Sequence, residues 1–339
     1  MTTSSAPLHF AARLEDRAHG LREKWGRRRG LVPTIVPFTS YGGSGWVRVL
    51  SRVVLRRASV GHPGTSMPAL RGWRSFTSVP VRDAAVTVAA GGHHHEVISD
   101  RGGVVDVRIG VVLPPGWQTI RLSIGAHEVE APVFIVDDDI RFGIVSDVDD
   151  TVMVTALPRP LLAAWNTFVV NEHARTPVAG MAVLYERLSR AHPGSPVVYL
   201  STGAWNVAPT LTRFLSRNLY PPGPLLLTDW GPTHDAWFRS GREHKRANLR
   251  RLAEEFPQMK WLLIGDDGQH DPEIYAEFGT EHPGCVAAVA IRNLTTSEAV
   301  LAGGRNDTDP LPDPDFPWLS ASDGAGLSAQ LSAAHLLPE

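Results

Sequence analysis

Residues 142–152 read FGIVSDVDDTV, an apolar run that ends in three carboxylates and a threonine. The first five residues, 142–146, are typical of a short buried strand, and Asp147, Asp149 and Asp150 follow at its end. Three carboxylates at one strand end repel one another unless a cation lies between them. The stretch therefore predicts a strand of an α/β fold with a charged site at its carboxyl end.

Further short apolar runs alternate with helical segments after this stretch. Strands are predicted at 196–200, 225–228, 261–264 and 286–291, and helices at 180–190, 205–218, 243–255 and 272–278. This alternation is typical of an open, mostly parallel sheet with crossover helices, which binds its ligands at the carboxyl ends of the strands. The predicted fold class is α/β, with a doubly wound parallel sheet.

The apolar pattern before residue 137 has a period of two residues. Apolar and polar residues alternate at 105–109 and at 120–124, and glycine-rich or proline-rich turns separate the runs. Short strands at this spacing predict a smaller antiparallel β-sandwich-like domain without a catalytic cluster. The predicted division is a basic helical segment (1–30), the sandwich-like domain (31–137), the α/β domain (138–302) and a mostly irregular tail (303–339) with a short helix near 326–336.

The bulk properties of the 339-residue chain are those of an ordinary globular protein, with 43% hydrophobic and 20% charged residues. A formal net charge of −2 gives no general attraction to nucleic acid, so no specific nucleic-acid binding is predicted. No apolar run is long enough to span a bilayer, and we predict a cytoplasmic protein. Seven basic and three acidic residues in 1–30 give this segment a net charge of +4. It either docks on an anionic membrane surface, which would make the protein peripheral, or packs as a solvated helix on the next domain.

Three further groups of polar residues follow predicted strands or begin a helix. Ser201 and Thr202 follow the second strand, Lys245 lies near a helix start, and Asp266 and Asp271 follow the fourth strand. A hydroxyl beside a helix N-terminus can bind a phosphoryl oxygen, and a lysine can offset its charge. Each group also has an ordinary interpretation, because hydroxyls often cap helices and most helix lysines are solvated. Their order along the chain favours a phosphate site.

In this order the motifs resemble those of the haloacid-dehalogenase superfamily, over about residues 141–301. The resemblance is narrower to the catalytic domain of the actin-patch-associated phosphatidate phosphatases, and it rests on residues 146–152, 199–205, 244–245 and 265–275. The chain departs from that family at residues 201–204, which read STGA where an SNSP-like run is expected. The resemblance implies a Mg²⁺-dependent phosphomonoester hydrolase that works through an aspartyl-phosphate. The implied substrate is phosphatidate or a related phospholipid.

The resemblance also implies a role for each residue of the site. The catalytic residues would be Asp147 as nucleophile, Asp149 as general acid and base, and Lys245 as a holder of phosphoryl oxygens. The substrate-binding residues would be Thr151, Ser201 and Thr202. The metal residues would be Asp147, Asp149 through its backbone carbonyl, Asp266 and Asp271, the last of which orients either Lys245 or a metal-bound water.

Other functions stay open on the sequence. One alternative keeps the chemistry but takes a soluble phosphomonoester or a nucleic-acid end as the substrate. Another is a catalytically silent receiver-like domain, although such domains lack an acid/base residue at the position of Asp149. A third is a degenerate fold that acts as a binding module, and the presence of Asp147, Asp149, Lys245 and Asp266 argues against it. The intervals between the motifs leave no room for a separate cap domain, so we predict an open site.

Overall fold

The computed structural model describes residues 20–57, 78–154, 176–228, 234–268, 270–301 and 315–338. These residues form two large sheets, one on either side of residue 140, and a two-stranded pair. Of the basic segment 1–30, residues 20–28 are helical, and the prediction for residues 1–19 lies outside the described ranges. No helix in the described ranges combines the length and the apolar character needed to cross a bilayer.

The first sheet has nine strands, and buried apolar side chains from its strands pack together into a core. They are β1 (Leu31–Pro37), β2 (Ser40–Gly43), β3 (Trp46–Arg57), β4 (Val79–Pro80), β5 (Ala85–Ala90), β6 (His93–Ile98), β7 (Val104–Gly110), β8 (Gly116–Ile124) and β9 (His127–Ile135). They pair in the order β1-β3-β2-β9-β8-β5-β6, and β4 and β7 also pair with β3. The period-two apolar residues, among them Val105, Ile120 and Leu122, are buried in this core.

The prediction of an antiparallel sandwich is wrong for one pair, because β2 and β9 run parallel. These strands are distant in the chain, so no hairpin turn fixes their relative direction. Gly42 and Gly43 lie at the end of β2, directly before the turn that leads to β3. A Cβ on Gly42 would lie 2.2 Å from the carbonyl oxygen of Trp46, so only glycine fits this approach.

The second sheet is parallel and has six strands. They are β10 (Phe142–Asp147), β13 (Val197–Ala204), β14 (Leu225–Thr228), β15 (Lys260–Asp266), β16 (Val286–Arg292) and β17 (Trp318–Ala321), in the order β14-β13-β10-β15-β16-β17. The chain adds strands first on one side of β10 and then on the other. The topological switch point therefore lies at β10, where open α/β sheets bind ligands. The antiparallel pair of β11 (Met153–Val154) and β12 (Thr176–Pro177) follows β10.

The described helices of this part connect or flank the parallel strands, which confirms an α/β fold. They are α1 (Met181–Ala191), α2 (Ala208–Arg217), α3 (His234–Glu255), α4 (Asp271–Glu281), α5 (Thr296–Leu301) and α6 (Gly324–Ala333), and a 3₁₀ turn (Trp205–Val207) precedes α2. Helix α3 begins earlier than the predicted residue 243. The boundaries of the four predicted domains stay predictions.

The tail predicted to be mostly irregular (303–339) is wrong in part. Residues 318–321 form the sixth strand of the parallel sheet, which was not predicted, whereas the short helix predicted near 326–336 is present as α6. A four-residue edge strand is too short to show a period, so the sequence shows no sign of this strand. Residues 303–314 lie outside the described ranges.

Several aromatic and polar contacts join the two sheets. The ring of Phe38, just after β1, stacks on the ring of Trp205 with centroids 4.9 Å apart. Glu255, at the end of α3, accepts hydrogen bonds from Tyr41 Oη (2.8 Å) and Arg48 Nε (2.8 Å). The first sheet therefore contacts the segment that follows Ser201.

Candidate active site

A tight turn at the end of β10 holds the acidic residues of the first motif. Asp147 is the last residue of the strand, and the amides of Val152 and Met153 donate back to the carbonyl of Val148 at 3.0 and 3.1 Å. Asp150 has a left-handed backbone with φ of 58°. This conformation is uncommon for residues other than glycine, asparagine and aspartate, and it lets the chain reverse within a few residues.

Lys245 lies buried between two carboxylates. Its Nζ is 2.7 Å from Asp147 Oδ1 and 2.5 Å from Asp271 Oδ1. Burial alone would lower the pKa of Lys245, but Asp147 and Asp271 outweigh it and raise the pKa above its usual value. The lysine is therefore positively charged. Asp271 was expected to orient either Lys245 or a metal-bound water, and the structure shows its contact with Lys245.

Three buried carboxylates lie close together at the strand ends. One oxygen from each of Asp147, Asp266 and Asp271 lies within 4.8 Å of the others. Burial raises the pKa of Asp147 well above its usual range, and Lys245 opposes this shift while Asp271 reinforces it. Burial, and then the nearby Asp271 and Asp147, raise the pKa of Asp266 as well. Three acids outnumber the one lysine, and the raised pKa values reflect the cost of ionising all of them without a further cation.

A hard divalent cation fits this cluster. The second oxygen, Oδ2, of each of the three aspartates is buried and has no hydrogen-bond partner in the described part of the chain. Buried carboxylate oxygens without donors are costly, and oxygen ligands of this kind are those that Mg²⁺ binds. Asp267 does not join the cluster in the same way, because its Oδ1 accepts a 2.8 Å hydrogen bond from the amide of Leu294.

The hydroxyl residues predicted to bind substrate have different positions. Ser201 Oγ donates to Asp149 Oδ2 and accepts from the amide of Gly203, both at 3.0 Å. Thr151 is fully buried, and its hydroxyl has no hydrogen-bond partner among the residues that the structure describes. Thr202 lies beside α3, where its Cγ2 is 3.0 Å from the position that a Cβ on Gly241 would take. Ser201 is thus brought to the acidic motif, whereas Thr202 faces the helix.

Two residues that the sequence analysis did not single out also contact this loop. Arg292, the last residue of β16, donates from Nη1 to the carbonyl of Asp150 at 2.7 Å. The hydroxyl of Tyr185 on α1 forms a hydrogen bond with Ser146 Oγ. Arg292 was detectable, because it is a single charge that closes an otherwise apolar strand at the ligand-binding edge. Tyr185 lies at an ordinary apolar position of a helix and has no such mark.

The assembled groups have the properties of an anion-binding reaction centre. A carboxylate paired with a buried lysine can act as a nucleophile whose charge is balanced, and a second carboxylate two residues later can move a proton. The acidic cluster can bind a cation, and the cation and the lysine together can attract an anionic group such as a phosphate.

Comparisons with known proteins single out the same part of the chain. Residues 142–293 match the family model described as phosphatidate phosphatase APP1, catalytic domain. The phosphatidate phosphatase APP1 of Saccharomyces cerevisiae is 25% identical over 158 residues, which cover 46% of this chain and 26% of that protein. An uncharacterized protein of Schizosaccharomyces pombe is 25% identical over 173 residues, which cover 50% of this chain and 28% of that protein. The chain thus spans about a quarter of the length of these curated relatives.

Similar solved structures are more distant. An uncharacterized protein from Listeria monocytogenes serotype 4b is 13% identical with a TM-score of 0.35, covering 58% of this chain and 99% of that chain. The carbohydrate acetylesterase XAC1771 from Xanthomonas citri is 11% identical with a TM-score of 0.31, covering 89% of this chain and 74% of that chain. The match that bears on the site is the family match, which contains every residue predicted for it. Residues 142–293 of this chain resemble the catalytic domain of the phosphatidate phosphatase APP1.

Proposed function

We propose that this chain is a Mg²⁺-dependent phosphatase of the haloacid-dehalogenase type that hydrolyses phosphatidate or a related phospholipid through an aspartyl-phosphate. The observation that carries the proposal is the burial of Lys245 between Asp147 and Asp271, inside the region that matches a phosphatidate phosphatase catalytic domain. Burying a lysine and several carboxylates destabilises the fold. Such costly charged groups are typical of active sites, which supports a catalytic role.

In this proposal Asp147 is the nucleophile. Its carboxylate oxygen attacks phosphorus, the bond to the alcohol oxygen breaks, and Asp149 gives a proton to the departing alkoxide. Asp149 then takes a proton from water as the water attacks the aspartyl-phosphate, which releases inorganic phosphate and restores Asp147. The 3.0 Å hydrogen bond from Ser201 to Asp149 Oδ2 supports this role, because it holds the acid/base side chain beside the nucleophile's strand.

The remaining residues bind the phosphoryl group and the cation. Lys245 lies 2.7 Å from Asp147, close enough to offset the charge of phosphoryl oxygens as they gather at the nucleophile. The buried hydroxyl of Thr151, which has no partner in the described ranges, supports a phosphate contact. Asp147, Asp266 and Asp271, with the backbone carbonyl of Asp149, would hold Mg²⁺. The bound ion would neutralise negative charge on the phosphoryl group.

A phospholipid substrate would bring the protein to a membrane surface as a peripheral cytoplasmic protein. The described part of the basic segment supports this, because Leu21 and Trp25 are 68% and 57% exposed on one helix among arginines and a lysine. Cosedimentation with anionic liposomes should fall when Trp25 is changed to glutamate. Equal binding of the two proteins would remove this segment from the proposal.

The test of the proposed function is an assay of the full chain on a panel of phosphomonoesters. The panel contains phosphatidate in mixed micelles, glycerol 3-phosphate and a 5′-phosphorylated oligonucleotide, each with Mg²⁺ and with EDTA. We expect Mg²⁺-dependent phosphate release, fastest from phosphatidate, and none from Asp147→Asn. Faster hydrolysis of glycerol 3-phosphate or of the oligonucleotide would replace the lipid substrate with a soluble one. Full activity in EDTA after verified metal removal would overturn the metal assignment.

A further inference from the structure

Arg292 links the loop from Asp147 to Thr151, called the acidic loop below, to the segment that follows strand β16. It is only 5% exposed, and it pairs in register with Asp266 of the neighbouring strand. Its guanidinium donates from Nη1 to the carbonyl of Asp150 (2.7 Å), from Nη2 to Glu298 Oε1 (2.6 Å) and from Nε to the carbonyl of Ser322 (3.4 Å). One side chain therefore holds three separate stretches of backbone or helix together.

The bond to Asp150 lies at a sensitive point of the loop. Asp150 has φ of 58° and stands between Asp149 and Thr151. A rotation of the peptide that follows Asp150 would move Thr151 and tilt the backbone of Asp149, whose side chain is the proposed acid/base. A buried guanidinium suits the task of fixing this carbonyl, because its donors are planar and directional and its charge is permanent.

Glu298 fixes the guanidinium in turn. Its Oε2 accepts from the amide and the hydroxyl of Thr295 at 2.8 and 2.9 Å, while Oε1 accepts from Arg292. Glu298 belongs to α5, which lies beyond the family match of residues 142–293. The brace behind the acidic loop therefore includes a segment outside the matched region.

We infer that Arg292 is a positioning residue that holds the loop from Asp147 to Thr151 in its working conformation, and that Glu298 keeps Arg292 in place. The inference concerns the same site as the proposed function and rests on it for its kinetic consequences. Its structural consequence, a loop that loosens when Arg292 is lost, does not depend on any activity.

The first test is hydrogen exchange of the full chain, which measures directly how well the backbone amides of the loop are protected. The amide of Asp150, bonded to the carbonyl of Met153 at 2.7 Å, and the amides of Val152 and Met153 report on the turn. We expect Arg292→Ala to speed their exchange at least tenfold while the apolar strands exchange as before. The matched control is Arg187→Ala, since Arg187 also holds the C-terminal part, through Ser328 and the carbonyl of Pro338, but does not contact the loop. Unchanged loop exchange in folded Arg292→Ala would overturn the inference.

The second test is kinetic and uses whichever phosphomonoester the wild-type protein hydrolyses. We expect Arg292→Ala to lower kcat at least tenfold with KM within about threefold, and Arg292→Lys to recover part of the loss. Millimolar guanidinium should restore several-fold activity to Arg292→Ala, whereas methylammonium should not, because only guanidinium supplies the planar donors. A wild-type protein without activity on any substrate counts against the proposed function, and the exchange experiment then decides on Arg292 alone.

If Arg292→Ala does not fold, Glu298→Gln replaces it in both tests. Loop exchange and kcat equal to those of the wild type in that variant would overturn the inference.

Discussion

The two sheets of this protein bury opposite kinds of side chain. In the described part of the first sheet and its loops, the buried polar residues are Ser40, Ser51 and Ser99. The second sheet instead buries ionic groups at its carboxyl edge, which are Asp147, Asp149, Asp150, Lys245, Asp266, Asp271 and Arg292. Burying charged groups costs free energy, whereas burying apolar side chains stabilises the fold. The contrast therefore separates a region whose side chains stabilise the fold from an edge that carries the side chains of the proposed active site.

The largest effect that would sharpen this contrast is expected at Asp147. Asp147→Asn keeps the size of the side chain but removes the proposed nucleophile, so turnover should fall by at least ~10⁴-fold, as it does when another covalent nucleophile is removed. Asp149→Asn should lower turnover by ~10²–10⁴-fold, because a general acid/base is lost while the nucleophile remains. Beryllium fluoride should attach at Asp147 in a crystal. Attachment at another residue would contradict the assignment.

The matching change in the first sheet is Leu122→Ala, which should act on stability alone. Leu122 is fully buried in the apolar core, so its truncation should lower the free energy of unfolding by about 2–5 kcal/mol. Denaturant unfolding measures this loss. The kcat per folded molecule should equal that of the wild type. A large fall in kcat at a temperature where the variant is fully folded would mean that the two regions are not separate in function.

A smaller effect of opposite sign is expected at Asp266. Asp266→Asn removes one charge from the acidic cluster, while Asn Oδ1 can still accept the 2.7 Å hydrogen bond from Gly268. In EDTA at neutral pH the variant should be more stable than the wild type by about 0.5–2 kcal/mol, the gain that single stabilising substitutions commonly give. Added Mg²⁺ should raise the melting temperature of the wild type and leave that of the variant nearly unchanged. A variant that is less stable in EDTA would show that Asp266 supports the fold.

The sequence predicts this contrast in outline but not its details. The alternating runs predict the parallel strands because each strand is a continuous apolar segment, and the acidic residues are conspicuous because they follow those segments directly. The parallel pairing of β2 with β9 and the sixth strand (Trp318–Ala321) depend on contacts between distant parts of the chain. For the same reason, local sequence does not reveal that Arg292 reaches Asp150 or that Phe38 reaches Trp205.

The smallest predicted effect tests whether the first sheet also supports the site. If it does, the two sheets are not fully separate in function. Phe38 lies just after β1, and its ring stacks at 4.9 Å and 18° on that of Trp205. Trp205 follows β13 four residues after Ser201, whose hydroxyl holds Asp149. Loss of the Phe38 ring should therefore loosen the segment that positions Ser201.

An aromatic pair of this kind is worth about 0.5–1.5 kcal/mol beyond the area it buries. If that energy holds the segment after Ser201 in its working position, Phe38→Ala should lower kcat by roughly two- to tenfold. Phe38→Tyr should keep most of the activity, because a phenol ring can stack in the same place. The matched control is Trp117→Ala, which removes an indole of the same sheet whose ring packs at 5.1 Å on Phe134, and it should leave kcat unchanged. Equal kcat values for Phe38→Ala and Trp117→Ala would mean that the first sheet gives the site no support through this contact, whereas a loss confined to Phe38→Ala would make it part of the catalytic scaffold.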